Sequence, residues 1–187
     1  MSETADKILS LLLSTEREGI DKVTQFLESS DFFTAPASTK YHSSCEGGLA
    51  EHSINVYQIF CHKNKVFKLS LPEDTLIICG LLHDICKANF YKKGSRNVKE
   101  GGQWVAKEIW EVEDKLPLGH GEKSCMMLME HIKLTDFEKY AIRWHMGFSE
   151  GTSYSLSAAF DLMPGIVALH TADMEASYII EGRKNNE

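Results

Sequence analysis

The stretch Leu76-Ile77-Ile78-Cys79-Gly80-Leu81-Leu82-His83-Asp84-Ile85-Cys86-Lys87 decides how the rest of the chain is read. Pro72 followed by Glu73 and Asp74 has the composition of a helix first turn. From Leu76 to Leu82 the residues are apolar nearly all round rather than along one stripe, which predicts a central, buried helix. A histidine and an aspartate directly after so apolar a run are costly to bury unless something compensates them. A divalent ion would do so, because imidazole and carboxylate are its natural ligands and its charge offsets that of the acid. Adjacent helical side chains diverge by about 100°, so His83 and Asp84 can flank one ion or share two. Taken alone, the pair reads equally as a cap or a surface ion pair.

Its surroundings change that reading. Upstream, Gly47-Gly48-Leu49-Ala50-Glu51-His52 opens a helix whose apolar side carries Leu49, Ile54, Val56 and Ile59. Downstream, Leu169-His170-Thr171-Ala172-Asp173 lies inside another apolar helix. Three helices thus carry, in order, a histidine, a His-Asp doublet and an aspartate.

The remaining periodicity is also mostly helical. Ala5 to Leu13 and Ile20 to Leu27 repeat apolar residues at helical spacing; Ser29-Ser30-Asp31 breaks the pattern, and Thr34 to Thr39 forms an extended connector. Further helices are expected over Gly121 to Ile132, Thr135 to His145 and Pro164 to Ile180, with a Gly/Ser/Thr loop over Phe148 to Ser155. Between Ala88 and Leu118 the chain changes character: Gly94, Gly101 and Gly102 punctuate it, and Trp104-Val105 and Ile109 to Val112 read as strands. The expected fold is mostly α, one helical bundle with a small β-hairpin insertion around 88–118. Residues 1–187 make one domain: an N-terminal helical segment over 1–34, a core over 35–181 and a polar tail over 182–187.

Composition narrows the function. A chain of 187 residues with 43% hydrophobic and 25% charged residues suits one soluble domain with its own core. No apolar run approaches the ~18 residues of a membrane span, and the polar start from Met1 to Asp6 lacks the basic, apolar pattern of a signal peptide. A cytoplasmic protein is expected. Five cysteines without a C-x-x-C pair support neither a zinc knot nor a disulfide framework. A net charge of −7 argues against a broad nucleic-acid-binding face and toward a small phosphorylated substrate.

In its motifs the sequence resembles the HD-domain metal-dependent phosphohydrolases, and within them the HD domain of YhaM-type 3′-to-5′ exoribonucleases and small stand-alone bacterial and phage relatives. The matching text is Tyr41-His42, Glu46 to His52, Leu81 to Lys87, Gly119 to Glu122, Trp144-His145 and Leu169 to Asp173. The resemblance implies that His52, His83, Asp84 and Asp173 hold a first metal. In two-metal members a histidine from each of two later helices is added, and His120 and His145 occupy those places. One or two divalent transition ions are implied, with Mn, Fe, Co, Ni or Zn suited better than Mg to so many imidazoles. The implied chemistry is attack on phosphorus by a metal-activated water. The separate OB-type nucleic-acid-binding domain of the exonucleases is missing from this sequence.

Several neighbours carry two readings each. His120 is a second-metal ligand or a histidine at a helix N-terminus, and His145 is a ligand or a helix C-cap. His42 contacts a phosphate or leaving group, or ties down its loop. His170 supports the site from behind Asp173 or hydrogen-bonds within the core. Lys87, one turn after His83, reaches a substrate phosphate or pairs with Glu51 or Asp84. The strip Lys92, Lys93, Arg96, Lys99 is a solvated hairpin tip, or a flap that brings cations to nucleotide phosphates. The expected catalytic residues are Asp84, Lys87 and His42, with substrate contacts from Lys87, Lys92, Lys93 and Arg96. A nucleotide phosphohydrolase is the first functional reading. A 3′-to-5′ exonuclease or phosphodiesterase on short nucleic acid or a cyclic nucleotide is the second. A non-catalytic metal-binding regulatory module is the third, and no eroded ligand position favours it.

Overall fold

In the computed structural model, which describes residues 2–150 and 154–182, the apolar run becomes helix α4 (Glu73–Leu82), buried throughout Thr75–Leu82. Helix α3 (Gly48–Val66) packs against α4 on one side and against α8 (Gly165–Glu175) on another. Helices α3 and α8 carry the histidine and the aspartate, and α4 leads directly into the doublet at its C-terminal end. Leu49, Val56, Phe60, Ile78, Leu81, Leu82, Ile166 and Leu169 form one continuous core between them.

Helix α1 (Glu3–Ser14) begins at Ser2, whose hydroxyl accepts from the Ala5 N–H at 3.2 Å, and buries Ala5, Ile8, Leu9 and Leu12 on one face. Helix α2 (Ile20–Ser29) buries Val23 and Leu27 in the same way. Helices α5 (His120–Met129) and α6 (Asp136–Arg143) pack against each other, and α6 opens with a capping box between Thr135 and Glu138.

The inserted hairpin is present as two ten-residue strands, β1 (Tyr91–Glu100) and β2 (Gln103–Val112), in antiparallel register from Tyr91 opposite Val112 to Glu100 opposite Gln103. Gly101 and Gly102 make the two-residue turn, both at positive φ (57° and 88°), as the twist of a tight hairpin requires.

Two expectations need correction. The loop expected over Phe148 to Ser155 gives way to a 3₁₀ turn at Gly147–Glu150 and, beyond residues 151–153, which lie outside the described residues, to helix α7 (Tyr154–Leu162). Leu156 and Ala159, three apart, are buried, so packing overrides a Ser-rich sequence of weak helix propensity. The single helix expected over Pro164 to Ile180 is α8 followed by wider π-helical turns over Ala176–Glu181. That widening carries Glu181 into the interior, where it is 2% exposed.

Candidate metal centre

His52 comes from the second turn of α3, His83 caps α4, Asp84 follows in the turn, His145 sits just past α6, and Asp173 projects from α8. The three histidines are fully buried and Asp84 nearly so. His52 Nε2 lies 3.1 Å from Asp173 Oδ1 and 4.0 Å from Asp84 Oδ2. His83 Nε2 is 3.6 Å from Asp84 Oδ2, and His145 Nε2 is 3.3 Å from Asp84 Oδ1.

Each ring is held from behind by its other nitrogen. Nδ1 of His52 donates to Glu181 Oε1 (3.0 Å), that of His83 to the Gly80 carbonyl (3.0 Å), and that of His145 to the Ile142 carbonyl (2.7 Å). All three Nε2 atoms, together with Asp84 Oδ1, are buried and make no aligned hydrogen bond; the His52–Asp173 approach is an ion-pair contact only. Unpaired polar atoms in a dry interior are expensive. Outward Nδ1–H donors that fix the tautomer, with Nε2 lone pairs facing inward, are what metal ligation requires. Imidazole nitrogens and carboxylate oxygens in this arrangement fit a divalent transition ion.

The charges divide the rings, and His83 is the one held ready for an ion. Burial holds His83 down to about 4, so its Nε2 is free of a proton at neutral pH. Burial also works against His52⁺, but Asp173 and Glu181 outweigh it and raise that imidazole to about 9, so without an ion its Nε2–H faces Asp173 and a bound cation would take the place of that proton. For Asp84, burial is outweighed by Lys87 and the surrounding imidazoles, and the carboxyl stays well below the usual carboxylate range. Lys87 Nζ sits 2.7 Å from Asp84 Oδ2 and donates to the Ala37 carbonyl at 2.9 Å. Of its two expected readings, the acid partner is therefore met by Asp84.

A second donor group shares Asp84. Cys86, in the 3₁₀ turn Ile85–Lys87, and His120, the first residue of α5, come together with it so that one donor atom from each lies within 4.8 Å of the others. Gly121 allows this placement: a Cβ there would stand 2.1 Å from the Arg143 carbonyl oxygen, so only glycine lets the start of α5 approach the end of α6 so closely. His145 belongs instead to a group with His83 and Asp173.

The centre opens into a cavity of about 480 Å³. His42, Lys87 and Asp173 line it beside the donors, and Tyr41, Met146, Phe148, Met174 and Tyr178 supply its apolar walls. His42 has a buried, unpartnered Nε2, and its ring centroid is 5.0 Å from that of His52. His170 donates to the His145 carbonyl at 2.7 Å, so it supports the segment carrying His145 rather than Asp173.

Lys92, Lys93 and Arg96 lie on β1 and none of them lines the cavity. Lys92 pairs with Glu113 and Lys93 with Glu108. Sequence reasoning missed Glu181 and Cys86. Glu181 accepts from Ser43 and Asn55 as well as His52. Eight residues after Asp173 an α-helix would turn Glu181 about 80° away from the Asp173 face, and the π-helical turns over Ala176–Glu181 change that placement, so the sequence alone carried no signal for it.

A helical protein with a buried histidine–aspartate cluster able to hold a divalent ion is the class these features define. The family model described as HD domain matches residues 49–178, and the chain belongs to that family, whose members are in general metal-dependent phosphohydrolases. Searches of curated proteins and of solved structures gave no match. Among the described residues no helix is long and apolar enough to cross a membrane.

Proposed function

We propose that this protein hydrolyses a phosphoester or phosphoanhydride bond of a nucleotide. The observation that carries the proposal is the convergence of three buried imidazole nitrogens, none with an aligned hydrogen bond, on two carboxylates beside a cavity that has a cation near the centre and aromatic walls further out. Such a cavity suits a ligand with a phosphate at one end and a flat, apolar ring at the other.

His52, His83, Asp84, His145 and Asp173 would surround the first ion, with His120 available to a second that shares Asp84. A bound divalent ion supplies an activated water and neutralises phosphoryl oxygens. Lys87, with its ammonium already fixed by Asp84, places positive charge where a phosphoryl oxygen would lie. His42 offers its unpartnered ring nitrogen to the leaving oxygen as a hydrogen bond or a proton. Glu181 keeps His52 in the tautomer that presents Nε2. The free cysteines agree with a reducing, cytoplasmic setting.

A short oligonucleotide end is the second reading. Tyr41 and Tyr178 line the cavity at 73% and 77% exposure, positions from which bases beyond the first could stack.

The test is purified protein with Mn²⁺, offered nucleoside mono-, di- and triphosphates, a cyclic nucleotide and a short oligonucleotide. Release of phosphate or pyrophosphate from the mononucleotides is expected. Release of mononucleotide from the oligomer alone would favour the second reading. Absence of any product from protein with metal bound would sink both.

A further inference from the structure

We propose that Cys86 is a metal ligand, and that Asp84, Cys86 and His120 form a second position with mixed oxygen, sulfur and nitrogen donors beside the histidine-rich one. The inference rests on reading the neighbouring cluster as a metal centre, and it adds a thiolate to it. Cys86 Sγ lies 3.4 Å from His120 Nδ1. Two ligands of a tetrahedral zinc, with Zn–S of about 2.3 Å and Zn–N of about 2.05 Å, stand about 3.5 Å apart. A thiol–imidazole hydrogen bond would also explain that distance. Asp84, two residues before Cys86 in the same turn, adds a carboxylate oxygen within 4.8 Å of the sulfur and the imidazole nitrogen, and its Oδ1 is buried without an aligned hydrogen bond, which a thiol–imidazole pair alone leaves unanswered.

The local framework holds the sulfur in place. His120 and Ser124 are four residues apart on α5 and so share a face. The Ser124 hydroxyl, fully buried, accepts from the Cys86 N–H at 3.4 Å and ties the 3₁₀ turn to that face. Cys86 is 1% exposed, whereas His120 is partly exposed and leaves a route for an ion. On ligation the S–H bond breaks, the sulfur lone pair forms the bond to the divalent ion, and the proton leaves to solvent. No oxidant or reductant takes part. A thiolate among the donors selects Zn, Fe or Co over Mg and Mn at this position.

The full chain, stripped of metal and titrated with Co²⁺, tests this by absorption. Wild type is expected to take up two equivalents, one of which brings a near-ultraviolet thiolate-to-cobalt charge-transfer band. Cys86→Ser and His120→Ala should each lose the second equivalent, Cys86→Ser should lose the band, and both should keep the first. A wild type that binds cobalt without the band, or a band that survives in Cys86→Ser, overturns the thiolate position while leaving the histidine centre intact. A wild type that binds no cobalt overturns both. Should Cys86→Ser fail to fold, zinc X-ray absorption of the wild type decides: sulfur scattering at about 2.3 Å supports the proposal, and a nitrogen and oxygen shell alone overturns it.

Discussion

A polar cluster centred on buried Glu138 and the buried histidine–aspartate cluster are built on opposite principles. In the first, Arg17 donates to Asp74 Oδ2 (2.7 and 2.9 Å) and to both oxygens of fully buried Glu138 (2.5 and 2.8 Å). The Thr75 hydroxyl and the Thr135 N–H complete the shell of Glu138, each at 2.8 Å. None of these atoms is left without a partner. In the second cluster the Nε2 atoms of His52, His83 and His145 and the Oδ1 atom of Asp84 meet at ion-pair distances without an aligned hydrogen bond. A charge buried for the fold brings its counter-charge and donors with it. A charge buried for a ligand leaves lone pairs pointing at the place where that ligand goes.

The contrast is broken most directly at its centre. Asp84→Ala removes the residue that touches His83, His145 and Lys87 and belongs to both donor groups. Turnover should fall by ~10³-fold or more, because a metal ligand and the carboxylate that fixes the Lys87 ammonium are lost together. Metal content by elemental analysis should drop while helical circular dichroism persists. Wild-type activity in this variant would remove the site assignment.

Arg17→Ala should do the reverse. It strands Glu138 without its guanidinium and should cost about 3–5 kcal/mol of stability in urea unfolding. The folded fraction should bind metal with wild-type stoichiometry, since no group of the centre contacts Arg17 in the network above. A loss of metal affinity at constant fold would show that the two clusters are coupled.

The two clusters also differed in how far the sequence revealed them. The centre was legible because His52, His83, Asp84 and Asp173 are ligand types set in apolar helices, where their cost demands a reason. The hairpin was legible from its glycines and β-branched and aromatic runs. The Arg17–Glu138 pair was not, because charged residues 121 positions apart look like any two solvated side chains until the chain folds. Cys86 and His120 failed to stand out as a pair for the same reason. Glu181 was hidden by the π-helical widening after α8, which no local propensity announces. Helix α7 was hidden by composition, since its serines argue for a loop and only the burial of Leu156 and Ala159 argues against one.

Removing the metal should loosen one cluster and spare the other. An ion that binds only the folded chain stabilises it by about 2.7 kcal/mol at 100 times its Kd, so chelation should lower the melting temperature of the wild type. In Asp84→Ala the same treatment should shift it little. A wild type indifferent to chelator would mean that the inward-facing nitrogens hold no ion. Glu181→Ala is the milder form of the same perturbation. It keeps every inward-facing atom but frees His52 to change tautomer, and metal affinity should fall about 10–100-fold, as for other outer partners of a ligating histidine. Isothermal titration measures it directly, and an unchanged affinity would show that Ser43, Asn55 and Glu181 serve packing alone.

The smallest effect is expected at the hairpin, where the sequence offered cations and the structure assigns two of them carboxylate partners. Lys92 and Lys93 face Glu113 and Glu108, and Lys92, Lys93 and Arg96 all lie outside the lining of the cavity. Replacing all three by alanine should leave kcat and KM for a mononucleotide unchanged, and the salt dependence of KM unchanged with them. The same triple variant also separates the two substrate readings. A single strand that laid its phosphates along β1 would lose a salt slope of roughly 0.7 for each contact removed, or about 2 in total. A fall of that size, seen with an oligonucleotide and not with a mononucleotide, would turn the hairpin from a solvated ribbon into a substrate flap. It would also move the preferred reading to the oligonucleotide.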